Sequence, residues 1–140
     1  MTLEALPGFA RELLEAGRVG HLGLLDGDGR PRVLPVTFAL AEGALWSAVD
    51  HKRKRVEGEE LARVRWLRQS PQAALTVDVY DEDWSRLAWV QVLGEVAVLD
   101  AAEGGMGLDA LVAKYGQYRD RRPSGPVLRL EPARAGCWSA

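Results

Sequence analysis

The stretch Val19-Gly20-His21-Leu22-Gly23-Leu24-Leu25-Asp26-Gly27-Asp28-Gly29-Arg30-Pro31-Arg32-Val33-Leu34-Pro35-Val36-Thr37-Phe38-Ala39-Leu40 decides the fold. Asp-Gly pairs supply the positive φ angles of a tight turn. Asp26 to Gly29 therefore joins two antiparallel strands, Val19 to Leu25 and Pro31 to Leu40. Alternation puts Leu34, Val36, Phe38 and Leu40 on one face of the second strand, and Val33, Pro35, Thr37 and Ala39 on the other. Pro35 has no amide hydrogen to give a neighbour, so this strand belongs at a sheet edge or carries a bulge.

Outward from the hairpin, the same signals repeat. Thr2 to Ala16 reads as an amphipathic helix ended by Gly17. Glu42-Gly43 is a turn, and Ala44 to Asp50 a third strand. Leu61 to Gln69 reads as a helix, with Leu61, Val64 and Leu67 inward and Arg63, Arg65 and Arg68 outward. Ala73 to Tyr80 and Leu87 to Leu99 are strands, with a bulge or bend expected at Gly94. Gly104 to Tyr118 is a late helix, and Pro126 to Glu131 a short last strand before a tail holding Trp138. Strands joined by short turns predict an antiparallel sheet. Six of them curl into a small barrel with flanking helices, one domain over residues 1–140. A doubly wound parallel sheet would need helices between most strands.

Composition excludes several classes. The 140 residues carry 18 Lys and Arg against 20 Asp and Glu, a net charge of −2, unlike the strongly basic balance of a protein that coats nucleic acid. No apolar run approaches the roughly 20 residues that span a bilayer, and the first residues lack a secretion signal. A cytoplasmic protein with neither membrane nor nucleic-acid partner is expected. Cys137 is the only cysteine, and His21 and His51 the only histidines, so no metal centre is expected. Neither a Rossmann glycine fingerprint nor a phosphate-binding P-loop is present. Ser47, Ser85 and Thr37 have no evident His-Asp partners. His21 reads as a core or interface residue, and Tyr115 and Tyr118 as helix packing. With no internal catalytic group, any reaction would be carried by a cofactor.

Charge is unevenly spread. Residues 52–68 hold seven cations and three glutamates, a local +4, which leaves −6 for the rest. Lys52, Lys54 and Arg55 leave the third strand directly, where they suit a phosphate or carboxylate group on a small ligand. A solvated charge run is the plainer alternative. Pro35-Val36-Thr37 and Ser47-Ala48-Val49-Asp50 carry small and polar residues that would let a planar ring approach the backbone. Ordinary sheet packing accounts for them equally. Five of ten aromatics are tryptophan. Trp84 and Trp138 are the ones expected at an interface or pocket.

Residues 18–25, 29–36 and 45–52 resemble the pyridoxamine 5′-phosphate oxidase-like split β-barrel (FMN-binding split barrel) proteins. So do Leu61-Ala62-Arg63, Ser70 to Leu75, Tyr80 to Trp84 and Gly94-Glu95-Val96. Within that group the chain is most similar to deazaflavin (coenzyme F420)-dependent oxidoreductases. The resemblance implies a homodimer with two cofactors in grooves between the subunits. It implies a cofactor phosphate near Lys52, Lys54 and Arg55. It also implies a ring along Pro35, Val36, Thr37, Ser47, Ala48 and Val49, with the groove closed by the partner through Trp89, Gln91 or Trp138. F420 is the expected cofactor and FMN the alternative, the latter for a flavin reductase or oxidase. A flavin or deazaflavin carrier without turnover is a further alternative. The C-terminal substrate-binding segment of true pyridoxamine 5′-phosphate oxidases is not identifiable, so vitamin B6 oxidation is not expected.

Overall fold

The hairpin at Asp26 to Gly29 forms as its residues require. A computed structural model describes residues 1–49 and 57–140, giving the backbone alone for 57–61. In it, β1 (Gly20–Leu25) pairs antiparallel with β2 (Pro31–Val36). Asp26 Oδ1 accepts the amides of Asp28 and Arg30, each at 2.9 Å. Gly29 takes φ 77°, where a β-carbon would add strain. The Arg30 amide is the largest of the contacts that hold the Asp26 carboxyl below its ordinary 3.8.

The second predicted strand is in fact two. It breaks at Thr37-Phe38, and β3 (Ala39–Ala41) pairs with β4 (Ala44–Ala48) through the turn at Glu42-Gly43. Three further strands are β5 (Gln72–Val79), β6 (Ala88–Leu99) and β7 (Val127–Ser139). All seven form one antiparallel sheet in the order β2-β1-β5-β6-β7-β4-β3. The expected six strands become seven because Pro31 to Leu40 serves both ends of the sheet. Pro35 indeed lies in a terminal strand.

That order forces curvature. Laid flat, six strand spacings would separate β2 from β3 by about 29 Å. Val36 and Ala39 are three residues apart, so their Cα atoms are at most about 11 Å apart. The sheet must curl until its two ends meet, which gives the split β-barrel architecture. Thr37-Phe38 is the seam.

Helices fill and cover the curl. α1 (Gly8–Ala16) buries Ala10 and Leu14, and α2 (Glu57–Gln69) buries Val64 and Leu67. Leu14 and Leu67 join a core with Leu22, Phe38, Val77 and Val90. Each fully buried leucine contributes about 1.5–3 kcal/mol. The N-terminal helix is shorter than expected, because Pro7 separates α1 from a 3-10 turn at Leu3–Ala5. α3 (Gly105–Lys114) and α4 (Gly116–Asp120) split the expected late helix at Tyr115. α3 lies on the outer side of β3 and β4, where Leu108 and Leu111 bury Trp46 and Ala48 in a second core. A β-carbon on Gly107 would collide with the Trp46 ring, so this glycine sets how closely α3 approaches.

The last strand is longer than its sequence reading. β7 runs through Pro132 to Ser139, and Trp138 lies in it opposite Trp89 rather than in a tail. Pro132 is accommodated by the bulge expected at Gly94: Leu93 pairs with Arg134 and Gly94 with Pro132, leaving Ala133 extra. A β-carbon at Gly94 would meet the Glu131 carbonyl oxygen. Gly94→Ala is expected to cost about 1–3 kcal/mol, read as a lowered midpoint in urea unfolding. An unchanged midpoint would show that the bulge tolerates a side chain.

Candidate functional site

The barrel interior leaves no room for a ligand. Its cavity is about 20 Å³, lined by Leu22, Val36, Phe38, Leu45, Leu75 and their neighbours. That is space for one water, in apolar walls that offer it no partners. Among the described residues, larger openings lie outside this apolar core.

The seam is the polar corner of the barrel. Thr37 Oγ1 and the Tyr118 hydroxyl are 2.8 Å apart. Ser47 Oγ donates to the Thr37 carbonyl at 2.7 Å. The structure thus joins Thr37 and Ser47, two of the predicted residues. Pro35 is exposed beside them on β2, and Val49 is half-buried. Val36 is buried in the barrel core and Ala48 under α3, so each can meet a ligand only through its backbone. Asp50, Lys52, Lys54 and Arg55 lie outside the described residues.

Trp89, Gln91 and Trp138 lie elsewhere, on the outer face of the sheet. Registers place three rows of side chains there. One runs Val33, Gly23, Ala74, Leu93, Arg134; the next Pro35, His21, Thr76, Gln91, Gly136; the third Asp78, Trp89, Trp138. Trp89 is 39% exposed, Trp138 47% and Val33 68%. Gln91 Nε2 donates to Thr76 Oγ1 at 3.0 Å. His21, expected at a core or interface position, is half-exposed here with Nδ1 3.8 Å from Asp78. None of the residues in these rows is buried.

One chain does not bring these two sets together. Pro35 and Gln91 share a row but stand three strand spacings apart, about 14 Å. Trp138 is ten residues along β7 from Leu128, the partner of Ser47, which is on the order of 30 Å. At the Asp78 end of the face, an open groove of about 530 Å³ separates α1 from β5 and β6, lined by Phe9, Glu12, Leu13, Arg18 and Val79 among others. It contains none of the predicted site residues.

Three other placements depart from the sequence reading. Tyr115 and Tyr118 are buried as expected, yet their hydroxyls reach the seam. Their three-residue spacing signalled packing only. Arg63, expected outward, is half-buried, with its Nε out of solvent and unpartnered among the described residues. Lys114 ends α3 with Nζ 3.8 Å from the Phe38 ring centroid, donating to the Phe38 carbonyl at 2.9 Å. Burial, and secondarily Arg18, pushes its pKa down to about 8.

The sheet order and the seam that closes it define a split-barrel protein. The sequence profile of the pyridoxamine 5′-phosphate oxidase family matches residues 6–139, and the chain belongs to that family. No curated protein matches it. Among solved structures it is similar to an F420 reductase at 22% identity, covering 94% of this chain and 98% of that one, with a TM-score of 0.65. It is similar to an FAD-binding protein from Mesorhizobium loti at 21% identity, covering 91% and 87%, with a TM-score of 0.67. A heme storage protein from Vibrio cholerae shares 18% identity over 99% and 95%, with a TM-score of 0.70. At these identities the likeness establishes the fold. No helix among the described residues is long and apolar enough to cross a membrane.

Lys114 yields a pH test. Its ammonium titrates near 10.5 when unfolded and near 8 when folded. Between those values the unfolded chain holds a proton that the folded chain has released, so this residue's contribution to stability rises with pH. The stability of the wild type relative to Lys114→Met is expected to increase from pH 7.5 to 10 in urea titrations. A constant difference would show that Lys114 titrates as it does in water.

Proposed function

We propose that the chain is an oxidoreductase that moves hydride between coenzyme F420 and a small-molecule acceptor. It would work in the cytoplasm as a homodimer, with one split-barrel domain per chain over residues 1–140. The observation that carries this reading is the filled barrel beside an uncovered face: a planar ring has no room inside, whereas the seam and outer face offer hydroxyls, backbone and indole rings. The similar fold of an F420 reductase supports F420 as the cofactor.

F420, when bound, supplies the hydride-carrying ring. The protein's residues bind, orient and shield it. Pro35 and the Thr37 hydroxyl face the ring from β2 and the seam, Val36 and Ala48 offer backbone, and Ser47 and Val49 line the adjoining strand. Lys52, Lys54 and Arg55 would hold the phosphate and acidic tail by charge-assisted hydrogen bonds, whereas Asp50, which can only accept, would meet a hydroxyl or N–H of the cofactor. Trp89, Gln91 and Trp138 of the second copy cover the groove, which explains why a single copy leaves them uncovered and far from Ser47. Shielding by the partner excludes water from the transfer.

Parallel fluorescence titrations with F420 and FMN test the cofactor. Tight F420 binding, with turnover of a quinone or nitro-compound panel, is expected. FMN binding without F420 would replace the reading with an FMN-dependent reductase or oxidase, the alternative that a flavin-binding neighbour supports. Binding without turnover would make the protein a carrier. Lys52→Ala with Lys54→Ala is expected to weaken binding by about 1–3 kcal/mol per lost contact; unchanged affinity would remove this loop from the site. Trp89→Arg with Trp138→Arg is expected to convert a dimer to a monomer in sedimentation. A dimer that survives both changes would place the interface elsewhere.

A further inference from the structure

Among the described residues, Thr37 and Phe38 have no strand partner. Register pairing stops at Val36 on one side and resumes at Ala39 on the other. Buried backbone groups without a ladder need other partners, and side chains supply them. Ser47 Oγ donates to the Thr37 carbonyl. The Phe38 amide donates to the Tyr115 hydroxyl at 3.2 Å. Lys114 Nζ donates to the Phe38 carbonyl. The Tyr115 hydroxyl has one proton to give and lies 2.9 Å from the Arg18 carbonyl and 3.2 Å from that of Phe38. Tyr118 reaches the Thr37 side chain itself.

Three of these groups come from one place, the break between α3 and α4. Tyr115 sits at the break with φ −114° and ψ 116°, which takes it out of the helix. The two rings meet edge to face, with centroids 5.7 Å apart, inside the second core. Phenylalanine would fill the same volume at either position. Packing therefore does not explain the hydroxyls; both reach the seam, and that of Tyr115 also ties it to the Arg18 carbonyl.

We propose that Tyr115 and Tyr118 are positioning residues for the ligand site, fixing the seam in the shape that receives the ring. This rests on the function proposed above. Through them α3 and α4, which need not touch the ligand, set the direction of the Thr37 hydroxyl and the Phe38 peptide. Tyr118 acts on the Thr37 side chain, and Tyr115 on the Phe38 backbone.

Dissociation constants for F420 and FMN, with amide hydrogen exchange, test this. Tyr118→Phe and Thr37→Val are each expected to weaken the cofactor that binds by about three- to tenfold. The effects of the two changes should be less than additive in the double variant, because Thr37 and Tyr118 share one hydrogen bond. Tyr115→Phe is expected to speed exchange of the Phe38 amide at least tenfold relative to amides within β1. Leu111→Val, in the same core but away from the seam, should lower the melting temperature and leave affinity unchanged. A merely structural role for the hydroxyls would show as lowered melting temperatures with unchanged affinities in Tyr118→Phe and Thr37→Val, and would overturn the proposal. Unchanged Phe38 exchange in Tyr115→Phe would overturn it as well. If the wild type binds neither cofactor, the oxidoreductase reading falls and takes this inference with it. If the wild type binds and the variants match it, only this inference falls.

Discussion

Two residues, Thr37 and Phe38, connect the opposite ends of a seven-stranded sheet. No flat arrangement satisfies that connection, so the sheet must curl and its inner face must close on itself. The interior then has to be filled by what it encloses, and Leu22, Phe38, Val77 and Val90 with Leu14 and Leu67 do so almost without remainder. The close approaches elsewhere adjust to the same closure. Gly94 lets β6 and β7 bend past Pro132, and Gly107 lets α3 lie flat on Trp46 beside the closing strands.

Closure also decides where chemistry can occur. A barrel with a water-sized void binds nothing inside it, which leaves the seam and the outer face. The seam is where the ladder is missing, so polar side chains gather to replace it: Ser47, Lys114, Tyr115 and Tyr118. Away from β3 and β4, which α3 covers, the outer face of β1, β5, β6 and β7 carries glycine, alanine, threonine and two tryptophans, none of them buried. One region is compact and hydrogen-bonded, and the other is broad, with its tryptophans, glycines and alanine set among Arg134, His21, Thr76, Gln91 and Asp78.

Much of this was legible in residues 19–40. The Asp-Gly turn, the edge position of Pro35 and the bulge at Gly94 followed from backbone chemistry at single residues. The break at Thr37-Phe38 did not, because Val36, Thr37, Phe38 and Ala39 alternate as a continuous strand would. Only the closing of the sheet, a property of all seven strands, interrupts it. β4 begins where the third strand was expected, at Ala44, and what its alternation does not show is that α3 covers its outer side, so that Ala44, Leu45, Trp46 and Ala48 are all buried. β7 was cut short because Pro132 reads as a strand end unless the partner's bulge is known. At the candidate site, Thr37 and Ser47 were named as members of separate segments, and the structure joins them. The roles of the tyrosine hydroxyls and of the half-buried Lys114 do not show in the sequence, since helical packing reports which face a ring is on and not what its polar end touches.

The strand order has a further meaning for how the chain assembles. β5, β6 and β7 are the middle of the sheet, and the two local hairpins β1–β2 and β3–β4 lie on either side. Those hairpins are hung from one hinge, so the molecule is a three-stranded centre held in a clasp. Each arm forms from near neighbours, but docking on β5 and on β7 joins residues roughly fifty and eighty positions apart, the slow part of folding. The hydrogen bonds at the hinge exist only once the β3–β4 arm is seated and α3 has come over it. They are the catch of the clasp, joining its two arms where no strand pairing does so among the described residues.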